Sequence, residues 1–187
     1  MNLEIIEEIN DGKVFLTKIS VKDRDFVFHS LKDETVSKYL SLGPLVSREH
    51  SQKLINNYLT YWDKQIQFNY IIEMRDNNNS NEIKKVGSIN LWGVNRSNKR
   101  AEIGIWLNSK YWHQGYAKVA LSLIINIGFY HLNLHRLEAH IAVENIPSIN
   151  LFKKCGFKEE GILKDYLHLK QAYHDAIILA CINKSLN

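Results

Sequence analysis

The stretch "AEIGIWLNSKYWHQGYAKVA" (residues 101–120) decides the fold, because it joins a strand-like run to an apolar helix through an aromatic turn. Gly115 stands where that helix begins, in a chain that has only 9 glycines. A glycine there permits close backbone approach, and the first amide N–H groups of a helix are unpaired and can bind an anion. Neither a Gly-Lys-Ser/Thr run nor a three-glycine fingerprint is present, so the predicted anion site is not a P-loop or a dinucleotide fold.

Hydrophobic periodicity and turn residues on both sides of this stretch predict alternating strands and helices. The order predicts an α/β (α+β) fold, with a mixed central sheet of about seven strands and helices on both faces. With no internal repeat and no linker, residues 1–187 are expected to form a single domain. The predicted elements are, in chain order, a strand at 13–19, helices at 21–39 and 47–65, strands at 68–74, 85–94 and 100–107, a helix at 115–132, a strand at 136–143, a short helix within 146–157, and strands at 158–166 and 175–183. A polar hairpin loop is expected at 75–85.

The composition excludes several classes of function. A net charge of +4 is mild, and without a dense Lys/Arg block it predicts no specific nucleic-acid partner. Cys155 and Cys181 are not spaced as in a metal-binding or redox motif. Both are expected to be reduced thiols in a cytoplasmic protein. The sequence shows neither a signal-peptide pattern nor an apolar run long enough to span a bilayer, so no membrane partner is expected. His131 and His135 have i, i+4 spacing but no accompanying glutamate of an HExxH motif, so no metal site is expected.

A second strand–helix unit, "RLEAHIAVENIPSINLFKKCGF" (residues 136–157), follows the first. From Lys99 to about Asp175 the chain carries "AEIGIWL", "YWHQGYAKVA", "HRLEA", "ENIPS", "KKCGF", "EG" and "KDY" in order. This series resembles the GNAT acetyltransferase superfamily, and more closely its RimJ/RimL-like branch of N-acetyltransferases. The resemblance implies the GNAT fold and an acyltransferase that uses acetyl-CoA and no metal.

The resemblance also implies where coenzyme A lies. The loop before the long helix would hold the pyrophosphate on backbone amides, which agrees with the positive end of the helix dipole. The preceding strand would pair its backbone with the pantetheine arm, and Asn145 would bond the same arm through its amide. The implied coenzyme A residues are Ile105, Trp106, Leu107, Gln114, Gly115, Tyr116, Ala117, Lys118, Asn145, Ser148 and Phe152.

Acetyl transfer to an amine needs a base for the ammonium, a stabilised oxyanion and a proton for the thiolate. Glu102 matches a strand glutamate of the family and is the first candidate for the base, directly or through a water. Ser148 matches the serine of the RimL-like pattern and is the candidate acid, although a serine there is equally typical of helix capping. Phe152 stands where many GNAT enzymes have a tyrosine, so Tyr166 is the alternative acid, and Leu167 stands where a RimL-like glutamate is expected.

The resemblance places the acceptor amine across the sheet from coenzyme A, near the first two helices. The candidate acceptor residues there are Tyr39, Tyr58, Trp62 and Glu102, although an aromatic stripe at helical spacing is also typical of a core. The charges near the Gly43–Pro44 break are mostly basic, with Lys38, Arg48, His50 and Lys53 against Glu34 and Glu49. A polyamine site would need the opposite balance.

These features favour acetylation of a protein N-terminal α-amine in a ternary complex, without a covalent enzyme intermediate. The alternative within the class is N-acetylation of a small amine-bearing antibiotic, toxin or metabolite, which would serve resistance or self-immunity. A non-catalytic acyl-CoA-binding module is the alternative from another class. A monomer and a homodimer both remain open.

Overall fold

An eight-stranded sheet forms the centre of the protein in a computed structural model that describes residues 5–75 and 82–184. The strand order is β1-β2-β3-β4-β5-β6-β8-β7. The strands are β1 (Glu8–Asn10), β2 (Val14–Lys18), β3 (Phe68–Arg75), β4 (Ile83–Asn95), β5 (Arg100–Leu107), β6 (Arg136–Ala142), β7 (Lys158–Leu169) and β8 (Ala172–Ile182). Residues 76–81, the centre of the predicted hairpin loop, lie outside the described residues.

The predicted mixed sheet is confirmed, but it has one strand more than the sequence suggested. β1 pairs antiparallel with β2, from Glu8↔Thr17 to Asn10↔Phe15. The turn between these two strands is held by Asp11, whose Oδ1 accepts from the backbone N–H of Val14 at 2.8 Å. β1 has only 3 residues and therefore shows no alternation long enough to be recognised as a strand in sequence.

Among the described residues, five α-helices cover the two faces of the sheet: α1 (Arg24–Lys32), α2 (Glu34–Ser37), α3 (Arg48–Asp63), α4 (Tyr116–Asn126) and α5 (Ile146–Lys154). The single helix expected over 21–39 is divided, because Asp33 is extended (φ −67°, ψ 113°) and caps α2 by accepting from the Thr35 amide at 2.9 Å. α4 continues into a π-helical turn, Ile127–His131, which completes the long helix predicted at 115–132.

Two apolar cores lie on opposite faces. One joins α4 and α5 to the sheet through residues such as Leu121, Ile124 and Phe152. The other joins α1 and α3 to the opposite face through residues such as Phe28 and Ile55. The sheet therefore separates an α4/α5 face from an α1–α3 face.

The parallel strands β5 and β6 pair only over a short length. Their register runs from Arg100↔Arg136 to Glu102↔Glu138. Beyond that point β4 remains paired along β5 and β8 remains paired along β6. Residues 103–107 of β5 and 139–142 of β6 therefore border an opening in the sheet, which we call the inter-strand gap.

Candidate active site

The loop at the start of α4 is shaped by the left-handed backbone of Gly115, at φ +85° and ψ −11°. Residues with a Cβ adopt this backbone conformation only at a cost in free energy, which explains why a glycine stands here. Apart from Gly115 and its two chain neighbours, no described residue has an atom within 4 Å of the place where a Cβ would stand, so the space in front of the loop is open. A positive backbone angle and an open approach are what an anion-binding helix start needs.

The amide groups of this loop are largely unpaired. The Lys118 N–H donates to the Gly115 carbonyl at 3.1 Å, so it is engaged within the helix. No acceptor is found in the described part of the chain for the amides of Gln114, Gly115, Tyr116 and Ala117. Those unpaired donors and the N-terminal end of the α4 dipole can hold a pyrophosphate.

Hydrogen bonds from two side chains to backbone carbonyls keep the loop in this shape. The Trp112 indole N–H donates to the Leu107 carbonyl at 3.0 Å, which ties the loop to the end of β5. The Gln114 side-chain amide donates to the Lys110 carbonyl at 2.9 Å. These two hydrogen bonds connect the loop to the end of β5 and to the turn before α4.

The edge of β5 that faces the inter-strand gap carries open backbone groups, among them those of Ile105. Asn108 donates its N–H to the Val86 carbonyl at 2.9 Å, and hydrogen-bonding direction alternates along an antiparallel pair. The backbone of Trp106 therefore faces β4, whereas that of Ile105 faces the gap. Ile105 can pair its N–H and C=O with an amide-bearing arm, as a strand edge pairs with a peptide.

The start of α5 lies at the end of β6, beside the same gap. Asn145 caps the helix, since its Oδ1 accepts from the Ser148 backbone N–H at 3.3 Å. Within the described residues the Asn145 side-chain NH₂ and the Ser148 hydroxyl have no hydrogen-bond partner. Phe152, one turn further on, is buried and packs edge-on against Phe157, with 5.0 Å between ring centroids.

Glu102 lies on the α1–α3 face at the point where β5 and β6 separate. Its Oε2 is 2.8 Å from Nδ1 of His140 on β6, and the two side chains are 17% and 9% exposed. The His140 ring in turn contacts the ring of Tyr166 on β7, with 4.9 Å between centroids. The structure thus brings together two of the three predicted catalytic residues, through a histidine that sequence reasoning missed.

Glu138 is the second carboxylate on these strands and has a different environment. Arg100 contacts its Oε2 at 3.1 Å, and Arg136 bonds its other oxygen. Arg136 also binds Glu160, and these hydrogen bonds hold the pKa of the Glu160 carboxyl below its usual range. Glu138 is therefore part of an ion-pair network.

The aromatic residues predicted on the acceptor side lie in different surroundings. Tyr39 donates its hydroxyl to the Glu144 carbonyl at 3.5 Å, which places it beside the end of β6. Tyr58 packs against the core beneath α1 and α3, and burial raises the pKa of its hydroxyl. Trp62 is 6% exposed and packs edge-on against Phe68, as expected for a core residue.

The basic charges near the Gly43–Pro44 break are partly compensated. Arg48 lies 3.0 Å from Asp25, which also contacts Arg24, and these two cations hold the pKa of the Asp25 carboxyl below its usual range. Glu144, two residues beyond the end of β6, has a side chain that is 52% exposed and lies 3.5 Å from His174.

The described ranges contain no group of three or more His, Cys, Asp or Glu side chains that could hold a metal ion. No helix among the described residues is long and apolar enough to cross a membrane. Cys155 and Cys181 are free thiols, and burial raises the pKa of both.

A loop of free amides at a helix start, a gap between two parallel strands and a carboxylate at its mouth agree with the acyl-CoA-dependent transferase that the motif series predicted. The acetyltransferase (GNAT) domain family matches residues 13–158. The chain belongs to this family, as the motif series predicted, and it is an N-acetyltransferase with acetyl-CoA as the acetyl donor.

Individual relatives cover nearly the whole chain. An uncharacterized N-acetyltransferase, p20, of Bacillus licheniformis is 28% identical over 96% of this chain and 98% of its own length. A spermidine N(1)-acetyltransferase of Vibrio cholerae is 24% identical over 88% of this chain and 90% of its own. Among solved structures, the ribosomal L7/L12 alpha-N-protein acetyltransferase RimL in complex with coenzyme A superposes with a TM-score of 0.82 at 20% identity, covering 94% of this chain and 98% of that one.

Proposed function

We propose that the protein acetylates the α-amine at the N-terminus of another protein, by direct attack of the amine on acetyl-CoA in a ternary complex. The observation that carries this proposal is the place of Glu102, half-buried at the mouth of the inter-strand gap on the face opposite α4 and α5. An α-amine has an unperturbed pKa of about 8, against about 10.4 for lysine, so a single carboxylate site can deprotonate it more readily. The likeness to RimL in fold is consistent with such an acceptor.

In the proposed complex, the amides of residues 114–117 hold the pyrophosphate and Ile105 pairs with the pantetheine arm. The Asn145 side-chain NH₂ bonds the same arm. Binding in this way brings the thioester into the inter-strand gap, between the free hydroxyl of Ser148 and the carboxylate of Glu102.

The proposed chemistry uses the groups on the two sides of that thioester. Glu102 provides the negative charge that draws a proton from the acceptor ammonium, directly or through an intermediate group. The neutral amine then attacks the carbonyl carbon, and the thiolate leaves with a proton. The Ser148 hydroxyl is the proposed proton donor because it has no other partner among the described residues. Tyr166 is the alternative donor, and its half-exposed ring borders the same site.

A second candidate is acetylation of a small amine. The two carboxylates near the gap, Glu102 and the exposed Glu144, would attract a cationic acceptor. A spermidine acetyltransferase among the relatives is consistent with that chemistry.

The cytoplasm is the proposed compartment, and the two free thiols support it.

The test is a coenzyme A release assay with acetyl-CoA and a panel of acceptors, which includes ribosomal N-terminal peptides, spermidine, aminoglycosides and free amino acids. Release with peptides supports the first function, and release with one small amine alone replaces it by the second. Glu102→Gln is expected to lower kcat by about 10²-fold or more, as loss of a general base does. Glu159→Gln removes an exposed carboxylate that pairs with Lys153 at 2.9 Å, and as the matched control it should retain wild-type activity.

A further inference from the structure

The contact between Glu102 and His140 is favourable only if one of its two atoms carries a proton. Oε2 and Nδ1 are 2.8 Å apart, and two unprotonated acceptor atoms at that distance would repel each other. The contact is not aligned as a hydrogen bond along the ring N–H, which is common for catalytic groups before substrate binds. The arrangement therefore favours the tautomer of His140 with its proton on Nδ1, facing the carboxylate.

The other ring nitrogen of His140 is available for chemistry. Nδ1 is fully buried, whereas Nε2 is not among the fully buried polar atoms and has no protein partner in the described part of the chain. If Nδ1 carries the proton, then Nε2 carries the free electron pair. The Tyr166 ring, 4.9 Å away, restricts how the imidazole turns.

The charged and titratable groups around His140 come from three strands. Glu102 on β5 faces Nδ1 directly, and Tyr166 on β7 faces the ring. Glu138, the nearest carboxylate on β6 itself, is already engaged by Arg100 and Arg136. Glu102 is therefore the one carboxylate among these groups that is left to stabilise an imidazolium.

We infer that His140 Nε2 is the atom that takes the proton from the acceptor amine, and that Glu102 acts through His140 by holding the Nδ1–H tautomer. This inference rests on the proposed N-acetyl transfer and names the intermediate group in it. As the amine N–H bond breaks, a new N–H bond forms at Nε2, and the freed electron pair of the amine attacks the thioester carbonyl. The C–S bond then breaks and the thiolate takes a proton from Ser148. The Ser148 oxygen recovers a proton from the protonated nitrogen of the new amide, and the imidazolium releases its proton to solvent. A carboxylate that orients a histidine in this way is the logic of hydrolytic triads.

Nitrogen NMR of the histidine side chains tests the tautomer without using activity. The wild-type protein is labelled with ¹⁵N-histidine, and the His140 signals are assigned by their loss in His140→Gln. The expected spectrum at neutral pH shows the Nδ1–H form, and Glu102→Gln shifts His140 toward the Nε2–H form that free imidazoles prefer. A wild-type spectrum with the proton on Nε2 would overturn the inference.

Kinetics provides the second readout, with whichever amine the wild-type protein acetylates. His140→Gln keeps a polar side chain of similar length but cannot titrate, so kcat is expected to fall about 10²-fold or more while the KM for acetyl-CoA changes little. The acidic limb of the wild-type pH–rate profile should disappear in this variant. A wild-type-like pH profile in His140→Gln would show a structural role only and overturn the inference.

The matched control is His168→Gln. His168 packs against Tyr173 with 4.8 Å between ring centroids, as His140 packs against Tyr166, but within residues 5–75 and 82–184 no carboxylate contacts it. This variant should keep the wild-type rate and pH profile. If no amine is acetylated by the wild-type protein, the proposed function fails, and the NMR result still decides the state of His140.

Discussion

Asn145 accepts a hydrogen bond from the backbone N–H of Ser148 at 3.3 Å, so the residue proposed to bind pantetheine also caps the helix that carries the proposed acid. The two expected roles, in binding and in capping, use different atoms of the Asn145 amide. Oδ1 is occupied by the cap and the NH₂ group is free for the ligand. The geometry at the start of α5 therefore couples helix stability to the site.

Asn145→Ala should lower stability and coenzyme A affinity together. Loss of an N-cap costs about 1 kcal/mol, and loss of the NH₂ donor removes a ligand contact in addition. Urea denaturation and calorimetric titration with coenzyme A measure the two effects. Asn150→Ala, at an exposed position of the same helix, should change neither. If the Asn145→Ala variant is less stable but binds coenzyme A normally, Asn145 only caps the helix and the proposed contact with coenzyme A is contradicted.

Gly115→Ala should weaken coenzyme A binding through the backbone. A non-glycine residue in the left-handed region costs about 1–2 kcal/mol, which corresponds to a loss of about 5- to 30-fold if the loop relaxes away from its binding shape. Gly115→Asn should lose less, because asparagine tolerates positive φ better.

The control for the loop is Gly161→Ala. Gly161 has no positive φ and nothing within 4 Å of an added Cβ, so its replacement should be neutral for binding. Calorimetric titration with acetyl-CoA compares the three variants. Wild-type affinity in Gly115→Ala would contradict the assignment of this loop to the pyrophosphate.

Ser148→Ala should lower kcat with little effect on folding. Its hydroxyl has no hydrogen-bond partner within residues 5–75 and 82–184, and its backbone N–H, which makes the cap, is retained in alanine. If Ser148 protonates the thiolate, kcat should fall about 10²-fold, because removal of a general acid has effects of this size. If kcat is unchanged, the acid is another group, and Tyr166→Phe is then the variant that should reduce the rate.

Stability should decline in acid through the ion pairs of Arg136. Hydrogen bonds from Arg136 lower the pKa of the Glu160 carboxyl in the folded protein. A lowered carboxyl pKa contributes stability above the unfolded value, about 4.3 for glutamate, and this contribution is lost as the pH falls through the folded pKa. The free energy of unfolding should therefore fall below about pH 4.5. Glu160→Gln should show a shallower fall in urea denaturation between pH 6 and pH 3, and an unchanged slope would contradict the role of this pair.

Local patterns predicted the elements that form the site better than the contacts between them. The strand expected at 100–107 is β5 with the same bounds, and Gly115 is the left-handed N-cap of α4. The break at Asp33 and the short β1 were not predicted, since a single capping residue and a three-residue strand leave almost no periodic signal.

His140 was missed for a different physical reason. Alternation along β6 places it on the face of Glu138, but its contact with Glu102 depends on the register between β5 and β6. The alternation of one strand tells which face a side chain is on, but it does not tell which residue of a strand distant in the chain lies beside it. The same holds for the inter-strand gap, which exists because pairing stops at Glu102↔Glu138.

The most direct test of the account is to locate the transferred acetyl group on a peptide that offers two amines. A ribosomal N-terminal peptide with a free α-amine and one internal lysine is incubated with the protein and acetyl-CoA, and tandem mass spectrometry then assigns the modified nitrogen. The account predicts acetyl on the α-amine alone, formed with stoichiometric release of coenzyme A and strongly reduced in Glu102→Gln. Acetyl on the lysine, or no modified peptide while spermidine is acetylated at a high rate, would contradict it.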